Sequence, residues 1–185
     1  FDLNSLYPHL IMQYNISPET YYDVKTSGVN VDNMLSQQVN LKFAKDKNIT
    51  IAPNGAMFRR DKQGFLPELM EKMYGDRVIY KKKMMEAKKE FQKTKDPIYK
   101  NEIARCHNIQ MAKKIALNSA YGAIGNQYFR YFDVKQAEAI TLGGQLSIRW
   151  VERDVNKFMN KVLETNNQNY VVASDTDSIY ISMGK

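Results

Sequence analysis

Two carboxylates two residues apart, Asp175 and Asp177, lie in Ala173-Ser174-Asp175-Thr176-Asp177-Ser178-Ile179-Tyr180-Ile181-Ser182, between segments that both read as strands. Val171 and Val172 lead in and Ile179, Tyr180 and Ile181 lead out, so the polar pair falls where a tight hairpin turns. Carboxylates at such a turn project off the end of a sheet, where hard cations such as Mg²⁺ find the oxygen ligands they require. That is half of a metal site. A second half is expected at the other end of the chain, in Phe1-Asp2-Leu3-Asn4-Ser5-Leu6-Tyr7-Pro8, with Asp2 at a strand end before a turn stopped by Pro8. Asp-x-Asp also occurs in ordinary surface turns, where each Asp bonds its own backbone, so the pair alone does not decide.

A third segment, Lys114-Ile115-Ala116-Leu117-Asn118-Ser119-Ala120-Tyr121-Gly122, closes a long helical pattern. In this order the three segments resemble motifs A, B and C of the family B (polymerase-alpha-like) DNA polymerases. Motif A, Asp-x-x-Ser-Leu-Tyr-Pro, is matched by Asp2, Ser5, Leu6, Tyr7 and Pro8. Motif B, Lys-x-x-x-Asn-Ser-x-Tyr-Gly, is matched by Lys114, Asn118, Ser119, Tyr121 and Gly122, and motif C, Asp-Thr-Asp-Ser, by Asp175 to Ser178. Asn15-Ile16-Ser17-Pro18-Glu19-Thr20 and Asn126-Gln127-Tyr128-Phe129-Arg130-Tyr131-Phe132-Asp133 look most like the replicative polymerases of tailed phages. Two departures are visible: His9 stands where the family usually has Ser, and Ala173-Ser174 replaces Tyr-Gly before Asp-Thr-Asp.

The resemblance implies template-directed transfer of dNTPs to a primer 3′-hydroxyl, with two Mg²⁺ ions, for which Mn²⁺ may substitute. Asp2 and Asp177 would bind both ions with help from the Leu3 carbonyl, and Asp175 would support the site. Arg77, Lys81 and Lys114 would hold the β and γ phosphates, Ser5 and Leu6 would offer backbone amides, and Asn118 and Tyr121 would face the incoming nucleotide and nascent pair. Tyr7 matches the family's steric gate against the ribose 2′-hydroxyl; its plain alternative is a core aromatic. The implied partners are primer-template DNA, dNTPs and, through other parts of a parent polymerase, a sliding clamp; the implied setting is the cytoplasm of an infected host cell. The family's exonuclease, amino-terminal and thumb domains have no counterpart here, so the expectation is a palm and fingers piece of a larger viral polymerase.

Charge divides unevenly along the chain. The net charge is +7, and residues 68–125 hold 13 Lys/Arg against 7 Asp/Glu, whereas the flanks are nearly neutral. A basic insert between motif-bearing flanks fits a device for gripping phosphate. Its alternative is a solvated helical face, which suits most of Lys82, Lys83, Lys89, Lys93 and Lys95. The insert predicts two helices, from about Pro67 to Lys95 and from about Ile98 to Tyr121, with Asp96-Pro97 as the stop between them. Met73, Tyr80, Met84, Ala87 and Phe91 form an apolar stripe on the first, edged by Arg77, Lys81 and Lys88. On the second, His107, Gln110, Lys114, Asn118 and Tyr121 share a polar face opposite Ile109, Ala112, Ala116 and Ala120, which predicts an antiparallel hairpin packed by its alanines. His107 reads as a surface residue.

Elsewhere Pro53-Asn54-Gly55 and Asp61-Lys62-Gln63-Gly64 bound short strands, and residues 136–163 carry a helical pattern that Gly143-Gly144 should weaken. Residues 21–50 are ambiguous. The fold expected is α+β: an antiparallel palm sheet with packed helices from residues 1–67 and 126–185, and an inserted two-helix fingers hairpin over 68–125. A single cysteine, Cys106, excludes an internal disulfide framework, and no apolar run is long enough to span a membrane.

Overall fold

The computed structural model describes residues 1–22 and 28–182. A short helix, α1 (Leu6–Tyr14), lies among three long ones, α4 (Phe65–Thr94), α5 (Ile98–Ile124) and α6 (Val134–Val162), and the main core forms where they meet. Leu10, Ile11, Ile16, Phe58, Met70, Leu117 and Ile140 are all almost fully enclosed there. Each such side chain contributes about 1.5 to 3 kcal/mol by leaving water. Among the described residues no helix is long and apolar enough to cross a membrane.

Pro8 does not stop a turn, as its position before the helical run had implied. It is buried in the first turn of α1, where the amide it lacks would have had no intrahelical partner. The turn is made instead by Ser5, whose backbone is left-handed at φ 56° and ψ 45°.

The helical hairpin forms as expected, with α4 beginning two residues earlier and α5 running three residues further than the sequence pattern marks. Lys95 reverses the chain in a left-handed conformation, and the Asp96 carboxylate accepts the Ile98 amide at 2.9 Å to start α5. Met84 and Ala87 are buried on the stripe of α4, as its spacing requires. The alanine packing of α5 is corrected. Its buried seam runs through Cys106, Gln110, Leu117 and Ile124, while Ala112 is exposed. Bulkier Leu117 and Ile124 remove more apolar surface than alanines do, and they turn Gln110 inward with them. An ion pair between Lys113 and Asp76 (2.7 Å) ties the two helices together, and His107 is exposed.

The Gly143-Gly144 pair does not interrupt α6, which is continuous from Asp133, whose carboxylate caps it through the Lys135 and Gln136 amides. Both glycines are buried where α1 crosses, and the close approach is what excludes larger side chains.

The antiparallel structure is divided between two small sheets. One has the order β1 (Tyr21–Tyr22), β3 (Met57–Arg59), β2 (Ile49–Ile51), and it packs with α3 (Lys42–Asp46) around Ala44, Ile49, Ile51 and Met57. The other pairs β4 (Val171–Asp175) with β5 (Ser178–Ile181) and lies on α6 through Ile148, Val171 and Ile179. Between them α2 (Val31–Leu35) is held to α6 by Arg149 with Asp32 (2.8 Å) and Arg153 with the Leu35 carbonyl (2.7 Å). The formerly ambiguous residues 28–50 are thus a packed helical and β connection.

Candidate active site

The hairpin β4–β5 turns at Thr176 and Asp177, and the first residues of the chain add to its free edge. Asp2 pairs antiparallel with Ser178. The Leu3 amide donates to the Asp177 carbonyl at 2.7 Å, the Ile179 amide to the Phe1 carbonyl at 2.9 Å, and the Phe1 amino group to the Ile179 carbonyl at 3.0 Å. Two acidic segments from opposite ends of the chain are therefore neighbours through backbone pairing.

They open onto a cavity of about 450 Å³, within the range of small-ligand sites. Its walls come from three places. Asp2, Asn4, Ser5, Leu6, Tyr7 and Pro8 form one wall, Thr176 and Asp177 a second, and Arg77 of α4 with Lys114, Asn118 and Tyr121 of α5 a third. Asp175, Leu3 and Lys81 do not line it: Asp175 is exposed at the end of β4, accepting from Thr176 Oγ1 (3.0 Å), Leu3 is committed to the sheet, and Lys81 is exposed one turn beyond Arg77. Asn4 and Thr176 were not singled out from the sequence, although each sits inside a quoted motif, and Pro8 was quoted for the turn and the motif rather than as a site residue.

The lining carries both signs of charge: the carboxylates of Asp2 and Asp177 and the cations Arg77 and Lys114. Arg77 Nη1 lies 3.4 Å from Ser5 Oγ, while its Nε is buried without a partner among the described residues. Tyr7 and Tyr121 pack with ring centroids 4.7 Å apart at 57°. Burial first, then the neighbouring Tyr121 and Asp177, push the Tyr7 hydroxyl above its ordinary pKa, so it stays a neutral phenol at physiological pH. The first-turn amides of α1 have no intrahelical acceptors and stand at the cavity wall, an arrangement that favours anions.

A family model described as DNA polymerase family B matches residues 1–185. The chain belongs to DNA polymerase family B. It is 30% identical to the DNA-directed DNA polymerases of Enterobacteria phage T4 and Escherichia phage RB69, over 100% of this chain and 25% of each relative. It is 31% identical to DNA polymerase 1 of Pyrococcus abyssi, over 98% of this chain and 19% of the relative. The family B polymerase structure from Pyrobaculum calidifontis superposes with a TM-score of 0.60 at 25% identity, covering 99% of this chain and 20% of that one. The chain thus spans about a quarter of the length of the phage relatives it matches.

Family membership implies metal-dependent catalysis, and the donors of this family B chain fit a hard cation. Asp2 and Asp177 present oxygen, and among the described residues no three His, Cys, Asp or Glu side chains gather to hold a metal. Mg²⁺ is commonly held by one or two carboxylates and completed by water and substrate phosphates rather than by an all-protein cage. His9, one of the departures from the family pattern, bonds the Ser5 carbonyl through Nδ1 (2.9 Å) and stacks edge-on against Tyr74 of α4 (4.6 Å), so it joins α1 to the helical hairpin.

Proposed function

We propose that residues 1–67 and 126–185 are the palm and residues 68–125 the fingers of a template-directed DNA polymerase, a viral replicative one working inside an infected cell. The observation that carries this reading is the cavity that Asp2 and Asp177 line together with Arg77 and Lys114, brought from four separate stretches of sequence. Nucleotidyl transfer needs charge neutralisation and in-line positioning more than covalent participation. Carboxylates and cations lining one cavity can supply both requirements.

In this reading Asp2 and Asp177 hold two Mg²⁺ ions with the Leu3 carbonyl, and Asp175 supports the turn that presents Asp177. Such ions, when bound, lower the pKa of the primer 3′-hydroxyl and neutralise the leaving pyrophosphate. Arg77 and Lys114 hold the β and γ phosphates, with Lys81 joining them as the fingers close, and the backbone amides at Ser5 and Leu6 add uncharged donors. Tyr7 occupies the space beside the sugar C2′ and excludes a 2′-hydroxyl, while Asn118 and Tyr121 pack the nucleotide from the fingers. Primer-template DNA and dNTPs are the partners, and contact with a sliding clamp falls to parts of the polymerase outside these residues.

The test is Asp2→Asn and Asp177→Asn in a full-length polymerase containing this chain. Each neutral amide removes a charge from both ions, so primer extension is lost while DNA binding persists. Substantial Mg²⁺-dependent extension by either variant would refute the assignment.

A further inference from the structure

We propose that Gly144 of α6 is a positioning residue for sugar selection: lacking a side chain, it sets how far the Tyr7 ring stands back from the nucleotide cavity. The inference rests on the reading of Tyr7 as the gate and adds what holds that gate in place. Tyr7 lines the cavity and packs against Tyr121, whereas Gly144 is buried and does not line it. Gly144 therefore stands behind the ring. A Cβ at position 144 would fall 3.2 Å from Tyr7 Cε1, 3.6 Å from Leu6 Cδ2 and 3.9 Å from Leu10 Cδ1.

Backbone freedom does not explain this glycine. Among the described residues the glycines with positive φ are Gly28 and Gly55, and position 144 is ordinary helix interior, where Gly is about 1 kcal/mol worse than Ala. What a methyl group would meet is the gate itself. At 3.2 Å the neighbouring ring must give by a few tenths of an ångström, and on this proposal it yields away from α6, toward Tyr121 and the cavity. Gly143 provides an internal control. A Cβ there falls 3.2 Å from Tyr14 Cε2 and 3.5 Å from Leu10 Cδ2, so it crowds the same helix crossing with Tyr14 and Leu10, not Tyr7, as its nearest neighbours.

The experiment compares Gly144→Ala, Gly143→Ala, Tyr7→Ala and the Gly144→Ala/Tyr7→Ala double variant in a full-length polymerase containing this chain, reading kcat and KM for matched dNTPs and rNTPs. Displacements of about 1 Å cost roughly 10²-fold, so a shift of a few tenths in Gly144→Ala is expected to raise the dNTP KM about threefold to tenfold. The dNTP:rNTP ratio of kcat/KM should also rise at least about threefold, because the narrowed space penalises the larger sugar more. Gly143→Ala should leave that ratio unchanged whatever it does to thermal stability. In the double variant the ring is gone, so the ratio should equal that of Tyr7→Ala alone; a further shift there counts against the inference even where Gly144→Ala by itself fails to fold.

If Tyr7→Ala relaxes selection while Gly144→Ala leaves the ratio unchanged or lower, the positioning role is overturned and the gate stands. An equal shift in both single glycine variants, or a further shift in the double variant, likewise overturns it. If Tyr7→Ala leaves sugar selection unchanged, the gate reading fails and takes this inference with it.

Discussion

At the scale of single residues, the cations of the cavity differ in how they are held. Arg77 is half-buried with one N–H weakly engaged by Ser5 and Nε without a partner among the described residues, whereas Lys114 is exposed on α5. A buried donor left unpaired costs free energy that an arriving acceptor restores, which prepares Arg77 for an anion. Lys114→Ala and Arg77→Ala should therefore impair use of the incoming nucleotide roughly 10²-fold or more, in line with loss of a charge-assisted transition-state contact. Affinity for primer-template should change little, since the phosphates concerned belong to the nucleotide. Single-turnover kinetics across dNTP concentrations at saturating DNA make the distinction. If DNA affinity fell while those kinetics held, both residues would belong to a nucleic-acid track.

At the scale of elements, the start of α4 is capped by a different part of the chain. Asn15, left-handed at φ 60° and buried at the end of α1, donates to the Arg59 and Lys62 carbonyls (2.6 and 2.8 Å) and accepts from the Gly64 amide (2.9 Å). The Glu19 carboxylate accepts from the Phe65 amide and from Ser17 Oγ, both at 2.6 Å. The stretch Asn15 to Thr20 is thus a bracket fixing α4 to α1. Asn15→Gly keeps the backbone conformation but loses three hydrogen bonds, for an expected loss of about 2 to 4 kcal/mol; Asn15→Ala should lose about 1 kcal/mol more. Urea midpoints check both, and equal losses would remove the backbone contribution.

Glu19 also gives this bracket a pH dependence. Burial pushes its pKa up, but hydrogen bonds from Ser17 and the Phe65 amide, with Lys62 nearby, outweigh that and leave it below 4.5. The folded state therefore releases this proton more readily than the unfolded chain, so the stabilisation is present above about pH 4.5 and is lost as pH falls through the lowered value. Glu19→Gln should lose stability less steeply on acidification, as read from urea midpoints over an acid series. An unchanged acid limb would show that Glu19 contributes nothing to it.

At the scale of the whole molecule, the excess positive charge belongs to the α4–α5 hairpin. Lys81 and Lys88 are exposed along it, while Lys83 lies over Tyr80, and Lys95 and Lys100 over Phe91. A row of exposed cations contributes to DNA binding by releasing counterions, without regard to sequence. Binding of duplex DNA should weaken linearly in log–log against salt, and Lys81→Ala and Lys88→Ala should each lower the slope by about 1 where they contact phosphate. A titration from low to moderate salt measures it, and slopes identical to the parent would leave the row a solvated face.

Much of this was legible in the chain before it was folded. The apolar stripe of α4, the stop at Asp96-Pro97 and the strands flanking Asp175 and Asp177 depend on local periodicity and backbone chemistry, which spacing records directly. Three ordered motifs also marked the family. Other features had no local signal. Pro8 was read as a stop because nothing nearby shows that Ser5 turns the chain left-handed, and Gln110 was placed on a polar face because only the partner helix reveals which seam is buried. Gly143-Gly144 looked like a weakness because a glycine's purpose lies in what approaches it. Local sequence determined which segments are helices and strands and which residues carry charge, since those properties act within a few residues. The resemblance implied that Asp2 and Asp177 act together, but only the tertiary structure decided that Asp2 pairs with Ser178 at the edge of the β4–β5 hairpin, that Arg77 and Lys114 line the same cavity, and that Gly144 of α6 lies against Tyr7, because each depends on packing between segments far apart in the chain.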